Sequence, residues 1–111
     1  THNRDSDPMD DRGHGTHVAG ILGAVSNNGV GIAGVAWNVK LLACKFIAND
    51  GLGANSNAVA CLDYVADLKR RGVNIVVTNN SWGGIARSRA LDDAVRVQRD
   101  LGILFVAAAG N

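Results

Sequence analysis

Val73-Asn74-Ile75-Val76-Val77-Thr78 is a β-branched run, and Ile103-Leu104-Phe105-Val106-Ala107-Ala108 is a second apolar run further along the chain. Both are short and bounded by glycine or polar residues, the pattern of strands buried on both faces. Between them, from about Ser88 to Leu101, apolar residues recur at helical spacing, with Ala90, Leu91, Ala94, Val95 and Leu101 near one side. Gly102 stops that helix, and Asp92 and Arg96 form a favourable i,i+4 pair on its outer side. Strand, helix, strand in this order makes a parallel pair with a helical crossover.

Working outward, the same alternation continues upstream. A helix capped by Asn55 or Ser56 places Ala58, Cys61, Leu62, Val65 and Leu68 on one face and ends at Gly72. Residues 39–47 (VKLLACKFI) form a further strand, and residues 14–25 a glycine-rich helix. Residues 1–12 are a polar surface loop and residues 26–38 a turn-rich one, with Asn28-Gly29 as the tightest turn signal. The order is helix, then β-α-β-α-β, so the fold class is α/β: a parallel β-sheet flanked by helices on both faces. Such sheets bind ligands outside the carboxyl ends of their strands. Function is therefore expected in residues 49–53, 79–84 and 109–111, all rich in Gly, Asn, Ala or Ser.

Composition narrows the class. A chain of 111 residues is one domain or a piece of one, and starting at Thr1 fits a processed or excised segment. It is 47% hydrophobic and 19% charged with a net charge of +1, which disfavours a nucleic-acid surface. No apolar run reaches the roughly 18 residues of a membrane span, and no signal-peptide pattern opens the chain. The two cysteines, Cys44 and Cys61, lie in apolar surroundings and read as buried thiols, with a disulfide as the lesser alternative.

The chemistry concentrates in Gly13-His14-Gly15-Thr16-His17-Val18-Ala19-Gly20. Glycine costs a helix about 1 kcal/mol against alanine, so glycines at 13, 15, 20 and 23 imply close backbone approach, to a sheet or to a large substrate. His14 between two of them can act as a base, since imidazole has an unperturbed pKa of about 6.5. His17, one turn on, reads as a buried structural residue. A metal pair of His14 and His17 lacks the glutamate of an HExxH helix.

His14-Gly15-Thr16-His17-Val18-Ala19-Gly20 resembles the histidine motif of subtilisin-like serine proteases. Ser81-Trp82-Gly83-Gly84 resembles their SxGG substrate-binding segment, and Ala108-Ala109-Gly110-Asn111 the AAGN that carries their oxyanion asparagine. The order and spacing of the three fit that family from about Asp11 onward. The resemblance implies a serine endopeptidase in which His14 is the general base and Asn111 donates to the oxyanion. It implies a polypeptide substrate bound as an extended strand, held by the backbone of Ser81, Trp82 and Gly83 on one side and of Gly51, Leu52 and Gly53 on the other. Trp82 stands where leucine is common, so the primary pocket should have a larger wall. The loop from Val25 to Ile32 resembles the family's calcium loop, with oxygens from Val25, Asn27, Asn28, Val30 and Ile32. The aspartates at 5, 7, 10 and 11 read as solvated loop rather than a second cation site. By family alone, such enzymes are secreted and made with a pro-segment.

The family order is Asp, His, Ser, with the aspartate about 30 residues before the histidine in a DTG or DSG context. No such segment precedes His14 here, and no GTS-x-A segment follows Asn111. Residues 1–111 thus read as part of a catalytic domain, with this segment alone expected to be inactive. A non-catalytic α/β peptide-binding domain on the same scaffold is the alternative. A nucleotide-binding module is disfavoured, because residues 49–53 hold only two glycines and no GxGxxG or P-loop lysine.

Overall fold

The computed structural model describes residues 7–84 and 87–110. The elements, in chain order, are α1 (His14–Gly23), α2 (Asn55–Arg70), β1 (Val77–Asn80), α3 (Arg89–Asp100) and β2 (Leu104–Ala107). The chain divides into two compact units, Thr1–Leu52 and Gly53–Asn111, each described by itself.

In the second unit, β1 and β2 pair in parallel, with Val77 opposite Leu104 and Asn80 opposite Ala107. Their connection is α3, which packs against β2 and α2, so the α/β class with a parallel sheet holds. The face of α2 expected to be apolar is the buried one: Ala58, Leu62, Val65 and Ala66 are buried, and Ala94 of α3 and Ile103 join them. Both helices stop in the same way. Gly72 and Gly102 adopt φ of +91° and +72°, a region that L side chains rarely enter. This lets the next amide reach back, Val73 N–H to the Leu68 carbonyl and Ile103 N–H to the Gln98 carbonyl, satisfying carbonyls that the helix ends leave open.

Several local expectations change. Strand β1 begins at Val77, not Val73. The N-cap of α2 is Ala54, with no side-chain cap; Asn55 opens the helix itself. Ser88 does cap α3, accepting from the Leu91 amide. Arg96 pairs with Asp93 at i,i+3, while Asp92 pairs with Arg87 across the cap, so the expected Asp92–Arg96 pair is not the one formed. Gln98, in a position the periodicity leaves polar, is fully buried. Its Nε2 donates to the Leu62 carbonyl at 2.8 Å, and its Oε1 has no partner among the described residues. Neither cysteine is a buried thiol: both Cys44 and Cys61 are disulfide-bonded, and Cys44 is exposed.

In the first unit, residues 39–47 form no strand. A strand is stabilised by its ladder, and no ladder partner for this segment lies among the described residues; Val39, Leu41 and Leu42 are about half exposed. Helix α1 buries no residue of its own and is held by its ends. At its C-terminal end the backbone of residues 34–36 runs back along it: Gly34, Val35 and Ala36 donate to the carbonyls of Ala24, Ile21 and Leu22 at 3.2, 3.0 and 2.9 Å.

Candidate active site

His14 is the first residue of α1, and its side chain is exposed. The N-cap is Gly13, at φ +90°, and it has no side chain to accept from the first-turn amides. Asp10 does so instead. Its Oδ1 accepts from Arg12 N–H at 2.9 Å and Gly13 N–H at 2.8 Å; its Oδ2 accepts from Thr16 N–H at 2.7 Å and Thr16 Oγ1 at 2.9 Å. A Cβ at residue 15 would sit 3.4 Å from that Oδ2, so glycine there leaves room for the carboxylate.

The amide of Thr16, then those of Arg12 and Gly13, then the Thr16 hydroxyl, hold the Asp10 carboxyl well below the usual carboxylate range. Its folded value lies below its unfolded one. The stabilisation is therefore complete above the unfolded value, near pH 4, and is lost as the pH falls from there toward the depressed value. Of the acidic cluster expected to be solvated, Asp7 accepts from the Met9 amide and Asp11 pairs with Lys45, whose Nζ also donates to the Met9 carbonyl at 2.8 Å. Asp5 lies outside the described residues.

His17 is exposed rather than buried. Its amide donates to the Gly13 carbonyl at 2.9 Å, the first α-helical bond of α1. His14 and His17 belong to no cluster of three or more metal-ligating side chains among the described residues.

The two segments expected to bind a peptide are exposed or half-buried and keep backbone groups available. In the turn at residues 48–52, Gly51 N–H bonds the Ala48 carbonyl, Leu52 N–H bonds Asp50 Oδ1, and the Leu52 carbonyl takes Ala48 N–H. This leaves the carbonyl of Gly51 and both backbone groups of Gly53 without partners among the described residues. At the end of β1 the last ladder bond runs from Ala108 N–H to the Asn80 carbonyl, and beyond it the backbone groups of Ser81 and Gly83 likewise make no hydrogen bond among the described residues. Trp82 is half-buried, and its Nε1 donates to Asn80 Oδ1 at 3.2 Å. Asn80 is itself buried, its Nδ2 within 3.3 Å of the Val106 carbonyl.

By sequence Asp10 reads only as part of a solvated acidic loop, with no capping role, and Asn80 has no role of its own. The nearest signal for each is an acid shortly before a glycine-capped helix, and an asparagine pair at a strand's carboxyl end. His14, Gly51, Leu52 and the loop at residues 25–32 lie in the first unit, and Gly53 and residues 81–83 in the second. Asn111 falls outside the described residues.

Around residues 25–32, Asn27 to Ala33 line a cavity of about 200 Å³. Asn27 adopts φ +59°, and Asn28 Oδ1 accepts from the Val30 amide at 3.0 Å. The carbonyls of Val25, Val30 and Ile32 and the side chain of Asn27 have no partner among the described residues. An oxygen-only set of this kind suits a hard cation such as calcium.

The second unit thus carries a parallel strand pair with backbone groups open beyond β1, and the first an exposed histidine heading a capped helix. The model of the Subtilase family matches residues 1–111. The chain is 39% identical over 109 residues to Subtilisin-like protease 1 of Plasmodium vivax, covering 98% of this chain and 16% of that protein. It is 38% identical over 107 residues to thermitase of Thermoactinomyces vulgaris, covering 96% and 37%. It is 40% identical over 103 residues to Subtilisin BL of Lederbergia lenta, covering 93% and 36%. The chain therefore belongs to the subtilase family. It spans between 16% and 37% of the length of these relatives.

Proposed function

We propose that the full-length protein is a secreted serine endopeptidase and that this segment supplies its general base, His14, and its oxyanion donor, Asn111. The observation that carries the reading is an exposed imidazole at the head of α1 in a chain of the subtilase family. The imidazole takes the proton of an attacking serine hydroxyl and returns it to the leaving amine. The Asn111 side-chain amide donates to the negative oxygen of the tetrahedral intermediate. An extended peptide pairs with the available backbone at residues 51–53 and 81–83, and Trp82, braced by Asn80, walls the primary pocket. A serine nucleophile and an orienting carboxylate are assigned to none of these 111 residues, so the segment alone is inactive in this reading.

The test is labelling and kinetics together. The full-length protein should react stoichiometrically with a serine-directed fluorophosphonate, and the isolated 111 residues should not. In the full-length protein, Asn111→Ala should lower kcat by about 10²–10³, the loss known for an oxyanion-hole donor in a subtilisin, with KM nearly unchanged. No labelling of the full-length protein would favour a non-catalytic peptide-binding domain. A change confined to KM would remove Asn111 from the oxyanion role.

We also propose that the loop at residues 25–32 holds a structural calcium ion through the Val25, Val30 and Ile32 carbonyls and the Asn27 and Asn28 side chains. Saturating calcium at about 100 times its Kd should stabilise the full-length protein by about 2.7 kcal/mol. Thermal unfolding with and without chelator checks this. A Tm insensitive to chelator, or a shift that survives Asn27→Ala, counts against the site.

A further inference from the structure

We propose that Asp10 is a positioning residue for His14: its carboxylate, accepting from the Gly13 amide and from both donors of Thr16, fixes the helix turn from which the imidazole projects. The inference rests on the reading of His14 as general base. It starts from a deficit. Four amides at a helix N-terminus lack intrahelical acceptors, and a side chain at the N-cap usually satisfies one of them. Gly13 cannot. Asp10, three residues upstream, accepts from one first-turn amide, that of Thr16, and its three other bonds hold the Thr16 hydroxyl and the Arg12 and Gly13 amides that lead into the helix.

These bonds enclose His14 on both sides. Gly13 and Gly15 are its chain neighbours. The first is tethered to Oδ1, and the second leaves space for Oδ2. Thr16, tethered twice to Oδ2, closes the turn. Among the described residues none packs over α1 closely enough to bury one of its own, and the carboxylate is the restraint they place on this turn. The loop carrying Asp10 is anchored in turn: Arg12 Nη1 donates to the Asn49 carbonyl at 3.1 Å, and Lys45 holds Met9 and Asp11. An imidazole displaced by about 1 Å can lose on the order of 10²-fold in rate, so a restraint of this kind bears on turnover rather than on substrate affinity.

The experiment uses the full-length protein and reports kcat per active site, with sites counted by fluorophosphonate titration. Asp10→Asn keeps the shape and loses the charge and part of the acceptor capacity. It should lower kcat per titrated site roughly tenfold or more, with KM within about twofold. Thr16→Val removes only the hydroxyl bond and should lower kcat per site by about two- to fivefold. The double variant should lose less than the product of the two, since both act through one carboxylate.

A merely structural Asp10 would reduce the number of titratable sites and leave kcat per site unchanged, and that result overturns the proposal. If Asp10→Asn does not fold, Thr16→Val decides by the same criterion. His14→Ala is measured alongside: continued hydrolysis by that variant sinks the general-base reading on its own, whatever Asp10 does.

Discussion

His14→Ala in the full-length protein is expected to lower kcat by several orders of magnitude and to leave the fold intact. The two halves of this expectation have separate causes. His14 is exposed and α1 buries none of its residues, so truncating the imidazole removes little packing. Alanine is also the better helix former. The Tm should therefore move by no more than the equivalent of about 1 kcal/mol. The chemical loss is of another size. Without a base, the serine hydroxyl must lose its proton unaided, and removing the histidine of a subtilisin costs about 2 × 10⁶ in kcat. Steady-state hydrolysis of a peptide substrate, with unfolding followed on the same preparation, checks both halves. Parent-like turnover by a folded His14→Ala variant would refute the assignment.

What could be read from the sequence was what depends on neighbours in the chain. The α2 face through Ala58, Leu62 and Val65 and the crossover from β1 through α3 to β2 are periodic patterns, and they appear as read. The glycine stops at 72 and 102 are local too. Features set by distant partners were not legible. Residues 39–47 have strand composition, but a strand needs a ladder, and composition does not supply one. Gln98 lies on a helix whose other polar residues face solvent; only the approach of the Leu62 carbonyl makes it buried. Cys44 and Cys61 looked like thiols because apolar neighbours say nothing about the distance to another sulfur.

The site shows the same division. His14 stood out by its motif, yet the group that caps its helix did not, because the usual cap position holds glycine and the work falls to Asp10. By sequence, the glycines of α1 imply contact with a sheet or substrate. Among the described residues, the close approach at Gly23 is to the Val39 side chain, where a Cβ would lie 3.0 Å from Cγ2. Helix α1 is therefore fastened at both ends by backbone and carboxylate acceptors and donors rather than along its length by a core.

Gly34→Ala tests the C-terminal fastening and should be among the most destabilising single substitutions in the first unit. Gly34 is buried, and its amide donates to the Ala24 carbonyl. A Cβ at this position would lie 2.4 Å from the Ala24 nitrogen and 2.7 Å from the carbonyl carbon and Cα of Gly23. All three are backbone atoms, so no side-chain rotation relieves the clash; residues 34–36 must move off the helix. That movement puts at risk the bonds from Val35 to Ile21 and from Ala36 to Leu22. Alanine would restrict the unfolded chain and return about 0.4–1 kcal/mol, but overpacking of this kind costs about 1–3 kcal/mol and the hydrogen bonds add about 1 kcal/mol each. The steric term wins, for a net loss of about 3 kcal/mol. In a domain of 150–250 residues this lowers Tm by roughly 6–12 °C. Gly84→Ala, where a Cβ meets nothing within 4 Å, is the control and should leave Tm unchanged. Equal Tm values for Gly34→Ala and the parent would show that α1 does not depend on this contact, and the fastening of the helix by its ends would then have to be abandoned.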